Sequence, residues 1–448
     1  ESSGEGGSIN QCALFDSITR YSKVIERTDY LANVLNQVSK ILLSENSGPV
    51  LLSLPFNVQK ELVDLDILVS IVTDKPVIAV QTNGEQTSQQ INHFVDLLKN
   101  SSKPVIVSGY GCIKSGAQSL VTELSQSLNI PVTSSLKGKG TINECSNLSL
   151  GSLGVTSSGY AFDYIVKKSD LVIVLGASFN ERTSYLWNDD LLGNKNVIQV
   201  DIDHEQLSKV YQADLTINAD IKHTLSSVID HLDEQTVEKK QLEDIIEYKD
   251  TFEKKASNKG NSIFQAEFSL IKTFFAKMNS QFPKGISVFD DNIIFAQNLL
   301  QVSTKNRFYP NAGISSLGHA IPAAIGAQFS GKTTMFAIIG DGGFQMCCME
   351  IMTAVNYQIP LNIILLNNSS MGLIRKNQVQ SYDNRFIDCD FVNPDYKKLA
   401  ESFNVNHTII NSEDDIGRLF DNTDFSSTIN LIEVIVDKNA FPNYSSRR

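Results

Sequence analysis

The chain has 448 residues, 42% of them hydrophobic, and 38 Lys and Arg stand against 50 Asp and Glu for a formal net charge of −12. That length suits two or three domains with separate cores, and the acidic balance argues against a nucleic-acid or anionic-membrane partner. No apolar run approaches the ~20 residues that span a bilayer, and no basic-then-apolar leader is present, so the expected setting is cytoplasmic. The six cysteines, Cys12, Cys112, Cys145, Cys347, Cys348 and Cys389, form no CxxC pair. They read as reduced core thiols rather than as a redox or metal site.

In chain order, residues 1–57 begin with the loop-like ESSGEGGS, then show a helical pattern from Asp29 to Leu43 and a strand, PVLLSLP. This is one α/β unit, too small to be a domain alone. Residues 58–88 read as a connecting segment. Over 89–231 the apolar, β-branched runs PVIVSG, IPVTSS, DLVIVLG and NVIQVDID alternate with helical spacing, which predicts a parallel sheet covered on both faces. Residues 232–261 are highly charged and predict a solvated, partly helical linker. The alternation resumes over 262–448, with GISVFD, TMFAIIGD, PLNIILLNN and INLIEVIVD as the clearest strands. The expected fold is α/β, with tandem doubly wound parallel sheets and a Rossmann-like central domain.

The most informative stretch runs from Met335 to Gly372. An apolar strand ends in Gly-Asp-Gly-Gly, a helical segment follows, and a second apolar strand ends in Asn-Asn. Parallel strands joined by a right-handed crossover end on the same sheet edge, where open α/β sheets bind ligands. Asp341 offers a carboxylate oxygen and Asn368 an amide oxygen, both suited to Mg²⁺, which commonly keeps a phosphate in its shell. Gly342 and Gly343 let the backbone approach a diphosphate, and a helix from about Phe344 would point its N-terminus at that charge. The plainer alternative is a strand-to-helix turn in which Asp341 only caps the helix.

This constellation resembles the thiamine-diphosphate enzymes of the acetolactate synthase and pyruvate oxidase type, and the resemblance extends over nearly the whole chain. It implies that Asp341, the Asn368 side chain and the Ser370 carbonyl bind Mg²⁺, and that Gly342, Gly343, Met371 and Gly372 line the diphosphate. Upstream, NAGISSLGHAIPAAIGA places Leu317 where the family has a bulky apolar residue beneath the cofactor rings, and Asp290-Asp291-Asn292 resembles a family loop near the diphosphate. The cofactor would decarboxylate a 2-oxo acid, with pyruvate expected, and pass the remaining unit to an acceptor aldehyde or ketone. The alternatives are a catalytically silent or truncated cofactor-binding homologue, or a carboligase acting on a nucleotide-linked keto sugar, which the ending NAFPNYSSRR resembles. The active unit would be a homodimer or homotetramer.

The middle segment resembles the family's central domain, which binds FAD in the acetolactate synthase branch. Gly109, Gly111, Gly154, Gly176, Arg182, Asp201 and Asp220 fall in the segments that match the flavin contacts. Ser178 departs from the pattern, standing where flavin-binding members usually carry a second Arg. Asn377 stands where acetolactate synthases place a Trp, and the only Trp is Trp187. Arg375 and Lys376 read either as acceptor-binding cations or as solvated helix charges.

Residues 1–57 resemble only the last part of the family's pyrimidine-binding domain, so its activating glutamate is expected upstream of Glu1. None of Glu1, Glu5 or Glu26 matches that residue's context. The resemblance therefore implies little or no decarboxylase activity for these 448 residues alone. Carbon dioxide release from pyruvate, with added thiamine diphosphate and Mg²⁺, measures this, and robust turnover contradicts it.

Overall fold

The computed structural model describes residues 9–44, 47–63, 84–234, 238–240, 244–331 and 333–444. It divides into two compact units, Glu1–Asn83 and Gly84–Arg448. In the first, β1 (Tyr21–Val24) and β2 (Val50–Ser53) pair in parallel. The helix Leu31–Leu42 lies between them in sequence and buries Val34 and Val38, which join Ile25 and Val58 in a small apolar cluster. The opening residues 1–8 and most of the expected connecting segment, residues 64–83, lie outside the described residues.

The second unit contains two six-stranded, all-parallel sheets. The first comprises β3 (Pro104–Ser108), β4 (Val132–Ser134), β5 (Ser149–Ser152), β6 (Leu171–Leu175), β7 (Asn196–Asp201) and β8 (Leu215–Asn218). Its spatial order is β5-β4-β3-β6-β7-β8. Numbered within the sheet this is 3-2-1-4-5-6, the Rossmann order, with the reversal between β3 and β6. Every residue of β3 and β6 is buried, as expected for strands covered on both faces.

The second sheet comprises β9 (Ile286–Asp290), β10 (Arg307–Pro310), β11 (Thr334–Gly340), β12 (Leu361–Asn367), β13 (Asn406–Ile410) and β14 (Ile429–Ile435). Its order is β10-β9-β11-β12-β14-β13, so the winding reverses between β9 and β11. One face packs Ile286, Val288, Phe336, Ile338, Ile364 and Ile432 against the helices Ser269–Gln281 and Glu413–Asn422. The other packs Ala337, Ile339, Ile363, Leu365 and Leu431 beneath the helices Ala320–Gln328 and Tyr396–Phe403. The expected α/β architecture is therefore the observed one. The sequence pattern missed β1, β5, β8, β10 and β13, which are short or partly polar and include all four outer strands of the two six-stranded sheets.

Three expectations change. The charged stretch is not simply solvated, because helix Ile245–Asn258 buries Ile245 and sets Tyr248 edge-on to Tyr164 and Phe252 edge-on to Tyr160. Cys145 is exposed rather than in the core, although all six cysteines are free thiols. Gly109, Gly111 and Gly176 do more than end strands. The Gly111 amide donates to the Gly176 carbonyl at 3.1 Å, and a Cβ on Gly109 would lie 1.9 Å from that carbonyl oxygen. Glycine here permits two backbone segments to touch. Among the described residues no helix is long and apolar enough to cross a membrane.

Gly109→Ala is expected to destabilise the chain by about 3 kcal/mol, because the new methyl meets backbone that cannot swing away. Gly326→Ala, inside helix Ala320–Gln328 with open space around its Cβ, is expected to stabilise it by about 0.5–1 kcal/mol. Urea unfolding of both variants checks the contrast.

Candidate metal and diphosphate site

Parallel pairing of β11 with β12 aligns Gly340 with Leu366. Asp341, next after Gly340, and Asn368, two residues after Leu366, emerge together on the carboxyl edge beside the β9/β11 reversal. The helix begins at Asp341, earlier than the sequence suggests, and ends at Cys347, before a 3-10 turn and a second helix, Ile351–Asn356. Asp341 is almost wholly buried. Its Oδ1 accepts from the Gly342 amide at 3.0 Å, within the first turn of the helix whose N-cap is Gly340. Its Oδ2 accepts from the backbone amides of Asn368 at 3.0 Å and Ser369 at 2.5 Å, and from Asn393 Nδ2 at 2.9 Å. A mere helix cap would not reach across to the next strand. Burial raises the Asp341 carboxyl above its ordinary value, while the donors from Asn393, Ser369, Gly342 and Asn368 oppose that rise.

Asn368 Oδ1 accepts from the Ser370 amide at 3.2 Å. Ser370 is 3% exposed, and its buried hydroxyl has no hydrogen-bond partner. The local glycines have separate steric reasons. A Cβ would lie 2.5 Å from Met371 Sδ at Gly342, 2.4 Å from Asp291 Oδ2 at Gly343, and 2.8 Å from Asn368 Nδ2 at Gly372.

These groups open onto a cavity of about 310 Å³. Asp291, Asn292, Leu317, Asp341, Gly342, Gly343, Asn368, Ser370, Met371 and Gly372 all line it, so the expected residues meet in one place. Phe295, Leu366, Leu373, Val436 and Phe441 make much of the remaining wall apolar. Among the described residues the lining includes two carboxylates, Asp291 and Asp341, and no Lys or Arg. An anionic ligand entering this wall therefore needs a cation with it. Asp341, Asn368 and Ser370 provide the hard oxygen donors that Mg²⁺ prefers. No group of three or more His, Cys, Asp or Glu capable of holding a metal occurs among the described residues. A site with one carboxylate, an amide and a carbonyl would leave room for phosphate oxygens, so the residues fit a Mg²⁺-diphosphate pair.

Asp291 has a local role as well. Its oxygens accept from the Gly318 and His319 amides, each at 2.9 Å, and so anchor the segment that carries Leu317. Asp290, fully buried beside it, accepts from the Ile293 amide and from Gln297. Burial pushes its carboxyl up to about 7.

The proposed flavin residues separate. Gly154, Gly176 and Arg182 line a crevice of about 140 Å³ together with Ser178. Gly109 and Gly111 pack against Gly176 instead. Asp201 accepts from the Asp203 amide, and Asp220 caps the following helix through the His223 amide; neither lines the crevice. Arg182 reaches Asn292 Oδ1 at 3.3 Å, linking crevice and diphosphate loop.

Arg375 and Lys376 are not solvated. Arg375 binds Asp390 at 2.7 Å and Asn439 at 3.0 Å and lies over the Phe386 ring. Lys376 is 1% exposed and donates to the Tyr444 carbonyl at 2.6 Å. Both cations thus hold the final segment, whose Ala440, Phe441 and Pro442 help close the cavity. Sequence reasoning also missed Asn393, 52 residues beyond Asp341, because no local pattern joins the two.

Residues 91–228 match the thiamine pyrophosphate enzyme central domain, and residues 292–429 match the thiamine pyrophosphate enzyme C-terminal TPP binding domain. The chain is 28% identical to the acetolactate synthase large subunit of Cyanidium caldarium, over 89% of this chain and 68% of that protein. It is also 28% identical to a probable acetolactate synthase large subunit of Methanococcus aeolicus, over 91% and 70%. With the acetolactate synthase large subunit of Lactococcus lactis it shares 26% identity, over 94% and 72%.

Burial lowers the Lys376 ammonium from 10.5 to about 8. Between those values the folded state holds fewer protons than the unfolded one, so stability rises with pH through that window. Lys376→Met should lack this rise. Unfolding of parent and variant near both ends of the window measures it.

Proposed function

The chain belongs to the thiamine pyrophosphate enzymes, and on that premise we propose that it contributes the diphosphate- and Mg²⁺-binding part of a site that decarboxylates a 2-oxo acid, with pyruvate the first candidate, and joins the remaining unit to a carbonyl acceptor. The observation that carries this reading is the corner formed by Asp341, Asn368 and Ser370, which opens onto a cavity with no Lys or Arg among the described residues of its lining. When bound, thiamine diphosphate supplies the nucleophilic carbon for such a reaction. Asp341 and Asn368 would orient the cation, and Gly342, Gly343, Met371 and Gly372 would border the diphosphate. Leu317 would support the cofactor rings, while Leu366, Leu373 and Phe441 would limit water. The relatives named as acetolactate synthases favour a second 2-oxo acid as acceptor. Arg375 and Lys376 are engaged with the final segment, so their burial argues against a direct acceptor role.

FAD is a second proposed ligand, supported by the crevice that contains Gly154, Gly176 and Arg182. Absorbance near ~450 nm, where oxidised flavins absorb, tests it on purified protein. We further propose a homodimer as the minimum working unit, and sedimentation tests this.

The thiamine reading predicts saturable binding of thiamine diphosphate by calorimetry with Mg²⁺ present, and loss of that binding in chelator. Asp341→Ala is expected to weaken it by roughly 100-fold, as removal of a buried charge partner generally does. Binding that ignores both chelator and the substitution overturns the assignment.

A further inference from the structure

Glu433 is an anomaly in its layer. It is 7% exposed on β14, opposite Leu365 of β12 and Ile409 of β13. Its face of the sheet otherwise contributes Leu365 and Leu431 to an apolar core. A carboxylate rarely enters such a layer unless partners satisfy it.

Both Glu433 oxygens are engaged. Oε1 accepts from Asn367 Nδ2 at 2.6 Å, and Oε2 accepts from His407 Nε2 at 2.9 Å. Because a carboxylate only accepts, the NH₂ of Asn367 must face Glu433. Its Oδ1 is then turned the other way, where it accepts from Asn393 Nδ2 at 2.8 Å and from the Ser369 amide at 3.3 Å. The same Asn393 nitrogen donates to Asp341 Oδ2 at 2.9 Å, and Asn393 Oδ1 accepts from Gln345 Nε2 at 2.7 Å. A chain of polar groups thus runs from edge strand β13 across β14 and β12 to the carboxylate at the end of β11. Its polarity is set by two carboxylates, Glu433 and Asp341, which only accept.

We propose that Glu433, backed by His407, is a remote positioning residue that fixes the amide orientation of Asn367 and Asn393 and thereby presents a donor to Asp341. The proposal rests on the reading of Asp341 as a Mg²⁺ ligand. Asp341 Oδ2 is saturated from behind by Asn368, Ser369 and Asn393, which leaves Oδ1, with its single Gly342 donor, as the oxygen with capacity to spare. Metal sites depend in this way on groups that hold their ligands, and loss of such a group typically lowers metal affinity 10–100-fold. His407 Nε2 faces a carboxylate oxygen, so this nitrogen carries the proton.

The test uses Mn²⁺ with thiamine diphosphate on the full 448-residue chain, with free Mn²⁺ read by electron paramagnetic resonance. Glu433→Leu removes the anchor and is expected to weaken Mn²⁺ binding by roughly 10-fold. Glu433→Gln should restore most of that loss. Its carbonyl can accept from Asn367 if its NH₂ faces His407, which forces the imidazole proton from Nε2 to Nδ1. ¹⁵N resonances of the His407 ring report that tautomer change, which a merely space-filling Glu433 would not produce. Asn393→Leu, at a loop position, should match Glu433→Leu and covers the case in which the latter fails to fold. A parent chain that holds no Mn²⁺ overturns the metal-site reading and this proposal with it. A parent that holds Mn²⁺ no more tightly than Asn393→Leu overturns the positioning role alone.

Discussion

Everything at the cavity depends on the parallel pairing of β11 with β12. Their register ends both strands at the same level, and Asp341 can then take backbone amides from Asn368 and Ser369 as well as from its own helix. A slip of one residue would turn every side chain of β11 to the opposite face. The register is held by buried Met335, Phe336, Ala337, Ile338 and Ile339 on one strand and by Leu361, Ile363, Ile364 and Leu365 on the other. Asn362 reinforces it by donating to the Met335 carbonyl at 3.1 Å. Apolar packing on both faces thus sets the position of a polar corner that contributes little apolar packing itself.

The corner carries a cost that its surroundings offset. Asp341 and Asp290 are buried carboxylates, and both are raised above their ordinary values by burial. Asp291 lies beside them with two backbone donors. Such a concentration of acidic groups under an apolar wall is unfavourable in itself. It becomes intelligible when each oxygen is followed to its donor, because most of those donors are backbone amides of the loops that the site must hold still. The same bonds that satisfy the carboxylates fix the Leu317 segment and the Asn368–Ser370 turn. Stability and preorganisation are here the same set of hydrogen bonds.

The two sheets show how one rule of winding can lead to different uses. Each has a reversal point at its carboxyl edge. In the sheet from β9 to β14 that point is open and bordered by polar groups. In the sheet from β3 to β8 the Gly109–Gly111 segment and Gly176 press backbone to backbone at the reversal, and the nearby crevice is displaced toward Arg182. Glycine-rich strand ends were equally prominent in both segments of the sequence. Only their neighbours separate a glycine that borders an open cavity from one that admits another loop.

The α/β alternation, the long buried strands and the pairing of Asp341 with Asn368 were legible in the sequence. Each is a local pattern, in which uninterrupted apolar runs mark strands buried on both faces and Gly-Asp-Gly-Gly marks a close backbone turn. Short outer strands such as Arg307–Pro310 were not legible, because a partly exposed edge needs no continuous apolar run. The burial of Arg375 and Lys376 was also hidden, since their contacts with Asn439 and Tyr444 in the final segment lie more than sixty residues away, although Arg375 also pairs with the nearer Asp390. Asn393, Glu433 and His407 were invisible for the same reason. An Asn in a loop, a Glu in a strand and a His on an edge have no signature until the sheet brings them into one row. The sequence by itself therefore determined the long buried strands, their alternation and the chemistry of the principal oxygen donors, because these follow from period and residue type. The tertiary structure alone decided which distant polar groups meet those donors, because a hydrogen bond is a condition on distance and direction in space, and chain order does not carry it.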